Sequence, residues 1–159
     1  MSKVSKHKAA LLNPALKPCG ALIGEWKTIG THPYLPDSIL HGRSSFEWIQ
    51  GGAFILWRSK MDEKKFPEGI AIFGSDDATG EFFVLYFDDR NVSRKYNVSF
   101  DGDVIKLWRT APNFSQRFTW TFADDNNSII QKGEMCKDGS TWEKDLELTY
   151  MRVERADEK

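Results

Sequence analysis

The sequence predicts an all-β protein, an up-and-down antiparallel β-barrel of about ten strands with a short N-terminal helical segment. Three observations carry that prediction. Turn clusters recur at Asp76-Asp77, Asp88-Asp89, Asp101-Gly102, Pro112-Asn113, Asp125-Asn126 and Asp138-Gly139, their first residues 11 to 13 positions apart. The runs between them are short and rich in Phe, Trp, Tyr, Val and Ile, the composition of half-buried strands. A long meander leaves unpaired edges unless it closes, so a barrel is its natural end state.

Each element has a local reason. Residues 1–12 carry Lys3, Lys6 and Lys8 and no acid, which suggests a flexible basic tail. Asn13-Pro14-Ala15-Leu16 reads as a helix start, Asn capping and Pro in the first turn. Pro18 and Gly20 keep it short, and Leu11, Leu12, Leu16, Leu22 and Ile23 could cover a barrel end. Strands are expected near 24–32, 41–49, 53–61, 68–75, 81–87, 93–100, 103–109, 116–122, 129–136 and 142–152. Gly51-Gly52 makes a tight turn between the second and third. Pro33 to Leu40, with prolines at 33 and 36, cannot be a central strand and is a candidate portal loop. One barrel domain over 13–153 and a charged tail over 154–159 complete the chain.

Alternation sorts the side chains by face. In the sixth strand Arg94, Tyr96, Val98 and Phe100 share the inward face. In the eighth, Gln116, Phe118, Trp120 and Phe122 do. In the last, Trp142, Lys144, Leu146, Leu148, Tyr150 and Arg152 oppose Glu143, Asp145, Glu147, Thr149 and Met151. Ala53–Met61 and Glu81–Phe87 are apolar on both faces and cannot be oriented this way.

Gly24-Glu25-Trp26 opens the first strand, and Arg152 sits on the inward face of the last. The pairing resembles the calycin superfamily of lipocalins, fatty-acid-binding proteins and nitrobindin-like barrels, and looks most like a bacterial family of calycin-like proteins. The resemblance implies that Gly24, Trp26 and Arg152 close the barrel bottom, the guanidinium stacked on the indole. Nitrobindin-like members hold haem through a histidine near the C-terminal end of the barrel. The last histidine here is His41, so no such haem, and no other cofactor, is expected.

The functional candidates are polar groups that alternation forces inward. Arg94 and Tyr96 would project side by side, a guanidinium fork and a phenol suited to a carboxylate or phosphate. An inward cation is costly unless paired, so a protein acid, water or a ligand anion must neutralise it. Arg58, Trp120, Phe118, Tyr86 and His41 complete the expected ligand-binding set. Arg117 is expected outward, and Arg109, at a strand end, in solvent. His32 and His41 flank the portal loop as candidate bases.

The expected function is binding of a small hydrophobic or aromatic ligand, anionic if Arg94 receives it. The alternative is an enzyme acting on an aromatic acid through Arg94, Tyr96, Tyr86 and Glu134. Net charge is -1, so neither nucleic acid nor an anionic membrane is an expected partner. The doubly apolar run Phe82–Phe87 would suit a homodimer. Cys19 and Cys136 belong to no Cys/His cluster, so no metal site is expected. With no secretory-type apolar stretch at the start, a cytoplasmic location is expected.

Overall fold

A computed structural model describes residues 12–154. The expected tails, 1–12 and 154–159, fall outside the described residues except for Leu12 and Glu154. The strands are β1 (Gly24–Thr31), β2 (Leu40–Ile49), β3 (Phe54–Met61), β4 (Gly69–Ser75), β5 (Phe82–Asp88), β6 (Val92–Asp101), β7 (Val104–Arg109), β8 (Ser115–Phe122), β9 (Ser128–Cys136), β10 (Trp142–Lys144) and β11 (Glu147–Arg152). Consecutive strands pair antiparallel as far as β9, which then pairs with both β10 and β11. β11 returns to β1, so the sheet closes. β10 and β11 are one interrupted strand, and the ring has ten staves.

The turn rhythm has a backbone cause. Asn91, Gly102, Asn113, Asn126 and Gly139 all adopt positive φ, which Gly and Asn tolerate best. The interruption of the last stave also has a register signature. Lys144 lies opposite Glu134 and Leu148 opposite Gln131. Three residues, 145 to 147, therefore oppose two, 132 and 133. This is a β-bulge, which reverses the alternation across it. Trp142 and Lys144, expected inside, point out, and Asp145, expected outside, is buried.

A 3-10 helix, Pro14–Leu22, covers one end. Asn13 Oδ1 accepts from the Ala15 N–H at 3.0 Å and caps it. Leu16, Cys19 and Leu22 are fully buried beneath it, whereas Leu12 is exposed and Leu11 lies outside the described residues. Trp26 donates its indole N–H to Leu22 O at 2.9 Å. The Arg152 guanidinium lies 4.2 Å from the centre of that indole and donates to Ile23 O and Ala21 O, both at 2.7 Å. Gly24 sits at φ +131°, where a Cβ would lie 2.8 Å from Arg152 Nη1.

The strands that resisted orientation resolve in the structure. On β3, Ile55, Trp57 and Met61 pack against the core, while Phe54 is exposed. On β5, Phe82, Val84 and Tyr86 join the core, while Leu85 and Phe87 stay on the outer wall beside Ile70 of β4.

Candidate functional site

The end opposite the helix opens into a cavity of about 470 Å³. Its rim comes from the loops after β1, β3, β5 and β7, which contribute Tyr34, Phe66, Arg90 and Phe114. The helix end is sealed, so ligand access is from the rim. The lower lining is aromatic. Trp57 and Trp120 meet edge to face at 5.1 Å, and Trp120 and Tyr150 lie 5.8 Å apart. Phe46 stacks on Trp57 from below at 5.5 Å. Small residues on β2 and β3, Ser44 and Ser59, leave the space that these rings do not fill.

One wall is polar and continuous. Gln116 of β8 organises it. Its Oε1 accepts from Tyr96 Oη at 2.5 Å and from Arg94 Nη1 at 3.2 Å. Its Nε2 donates to Asp145 Oδ2 at 2.8 Å. The other oxygen, Oδ1, accepts from the Leu146 N–H at 2.7 Å and faces His32 Nε2 at 3.1 Å. His32 Nδ1 accepts the Tyr34 N–H at 3.0 Å, which places the imidazole proton on Nε2, pointing at Asp145. Five side chains from β6, β8, the bulge and the loop after β1 thus form one hydrogen-bonded row.

The electrostatics follow from burial and neighbours. Burial pushes the Tyr96 phenol above its ordinary value, and the Arg94 guanidinium pulls against that shift. Arg94 also lies 5.1 Å from the Phe114 ring centre. Arg109 enters from β7, 5.9 Å from the Tyr96 ring centre, and its Nε is buried without an acceptor among the described residues. At the rim, Tyr86 donates to Asp88 at 2.7 Å, and Arg90 grips the same carboxylate at 2.7 and 3.2 Å.

Of the expected ligand-binding set, Arg94, Tyr96, Tyr86, Phe118 and Trp120 all line the cavity. Arg58 and His41 do not, which corrects the expectation for both. Inner positions of β3 are taken by Trp57 and Ser59, so Arg58 lies on the outer face, 3.9 Å from Glu47. Inner positions of β2 are taken by Gly42 and Ser44, so His41 is exposed. Glu134 also faces out and pairs with Arg117 at 2.8 Å, so the residue set of the enzyme alternative does not assemble. Trp142 stacks on that Arg117 at 3.8 Å.

Asp145 and Gln131 carried no functional expectation, and Arg109 was placed in solvent. Arg109 shares parity with buried Ile105 and Leu107, and that parity is the signal of its inward direction in the sequence. A nitrobindin-type haem does not fit this lining. The cavity histidine, His32, has both ring nitrogens engaged, leaving no lone pair for iron. Among the described residues, no group of three or more His, Cys, Asp or Glu side chains is placed to hold a metal ion.

No family model matches the sequence, and no curated protein matches it either. Among solved structures, the chain is similar to Rv2717c from M. tuberculosis, with a TM-score of 0.65 over 91% of this chain and 100% of that one. At 15% identity that likeness concerns the fold alone. A lumen open at one end and closed by a helix at the other is consistent with ligand binding inside it.

Proposed function

We propose that this barrel binds a small aromatic or otherwise apolar acid, its acid group received by Arg94 and Tyr96 and its rings by Trp57, Trp120 and Phe118. One observation carries the reading. Arg94 and Arg109 both point inward, and neither forms an ion pair among the described residues. The one carboxylate of the polar wall, Asp145, reaches Arg94 only through the Gln116 amide. With the His32 proton on Nε2, that carboxylate is held by Gln116, His32 and the Leu146 N–H and does not touch the Arg94 guanidinium. A half-buried guanidinium with no acid beside it has N–H groups to spare, and a ligand carboxylate would supply the partner.

The test is a pair of ligands of equal shape. Titration with 2-naphthoate and with neutral 2-naphthalenemethanol, followed by quenching of the cavity tryptophans, should show the acid binding more tightly. Arg94→Gln should weaken the acid by roughly 10- to 100-fold, the range of one hydrogen bond to a charged group, and leave the alcohol alone. Equal affinity for acid and alcohol in the wild type would end the proposal.

A further inference from the structure

The geometry points to a second polar subsite on the cavity floor, where the spare amide N–H of Gln131 receives a hydrogen-bond acceptor at the end of the ligand far from its acid. The inference rests on the binding reading above and narrows its ligand class. Gln131 stands on the inner face of β9, opposite Trp120 of β8 and Leu148 of β11. It is 4% exposed and lines the cavity.

Its amide cannot turn over, because the hydrogen bonds around it run in one direction. Tyr150 Oη donates to Gln131 Oε1 at 3.1 Å. Gln131 Nε2 then donates to the Leu146 carbonyl, an acceptor only, at 3.3 Å. Turned over, the amide would set its oxygen against that carbonyl, so the Gln131 oxygen and nitrogen are fixed in place. A primary amide has two N–H groups, and the second has no partner among the described residues. A buried donor left unmade costs about 1–3 kcal/mol, so this one favours a ligand that brings an acceptor.

The spacing of the two polar levels sets the ligand length. Gln116 and Trp120 are four positions apart on β8, and Trp120 is level with Gln131. At about 3.3 Å per residue the levels are about 13 Å apart. Allowing about 3 Å for the hydrogen bond at each end, the acid and the far acceptor should be separated by about 7–10 Å. That describes a two-ring aromatic monoacid with a hydroxyl or carbonyl opposite the acid. The aromatic walls between the levels suit its rings.

The experiment compares 6-hydroxy-2-naphthoate, 6-methyl-2-naphthoate and 2-naphthoate on the full chain by tryptophan quenching. Hydroxyl and methyl are close in size and differ in accepting a hydrogen bond. The wild type should favour the hydroxyl over the methyl ligand by about 3- to 10-fold, the worth of one neutral hydrogen bond. In Gln131→Met the order should reverse. In Arg94→Gln all three should weaken by a similar factor, with the hydroxyl preference kept. A wild type that favours the methyl ligand overturns the subsite and leaves the anion reading standing. Failure of all three acids to bind, or indifference to Arg94→Gln, overturns the anion reading and the subsite with it. Should Gln131→Met not fold, the wild-type order of the two substituted acids still decides.

Discussion

Asp145→Asn keeps the shape of the side chain and removes one acceptor, so it isolates the polarity of the cavity wall. Oδ1 must remain an oxygen, since the Leu146 N–H at 2.7 Å and His32 Nε2 at 3.1 Å both point at it. The new NH₂ then takes the place of Oδ2, 2.8 Å from Gln116 Nε2, and two donors face each other. Gln116 escapes by turning its amide end for end, which presents Nε2 to Tyr96 Oη and Arg94 Nη1. A hydroxyl can accept instead of donate, but a guanidinium cannot. One hydrogen bond to a charged group is lost, worth about 1.5–3 kcal/mol, with the lower end applying because Arg94 is only half-buried. Asp145→Ala is worse, because it strands all three donors at about 1–3 kcal/mol each, or about 3–5 kcal/mol after local relaxation. Urea unfolding followed by tryptophan fluorescence reads both. With a slope of about 2 kcal/mol/M the midpoint should fall by about 0.7 M for Asn and about 1.5–2.5 M for Ala at unchanged slope. An Asn variant as stable as wild type, or two variants falling equally, would refute the directed row.

Two further predictions concern the barrel end and acid stability. Arg152→Met removes the carbonyl bonds to Ala21, Ile23 and Asn126 and the stacking on Trp26, and should cost about 2–4 kcal/mol in the same urea assay. Arg152→Lys should recover less than half, since one ammonium cannot span three carbonyls and a ring, and a loss below about 1 kcal/mol in the Met variant would contradict the closure. Burial would raise the Asp88 carboxyl, but bonds from the Arg90 side chain, Tyr86 and the Arg90 N–H outweigh it and hold the pKa at about 2. That value is below the ordinary Asp value of about 3.9. The stabilisation is therefore present above about pH 4 and lost as pH falls through about 2. Asp88→Asn should show a flatter stability profile over that window, and parallel profiles would count against the assignment.

The turn rhythm was legible because tight hairpins need positive φ, and Asn91, Gly102, Asn113, Asn126 and Gly139 supply it in sequence. Inside and outside were legible on β6 and β8, where one face is polar enough to mark the other. They were not legible on β3 or β5. Both faces there are apolar, so alternation alone does not report that Trp57 packs against the core and Arg58 lies on the outer face. His32 could be read only as a loop residue, because its partner Asp145 is 113 positions away.

The bulge is the deeper case. Reading strict alternation through residues 142 to 152 puts Lys144 inside and Asp145 outside, and one extra residue reverses both. Nothing in hydrophobic pattern alone reports an insertion within a stave, since the apolar residues Leu146, Leu148 and Tyr150 keep their parity beyond it. Local rules tend to fail where function asks for an exception, and this failure has an electrostatic consequence. A regular stave would have turned residue 145 toward solvent and left the Gln116 amide, on which Arg94 and Tyr96 converge, with no carboxylate beside it. The irregular one brings Asp145 into reach of Gln116. The same bulge therefore sets which way the Gln116 amide points, with its nitrogen held by Asp145 and its oxygen turned toward Arg94 and Tyr96.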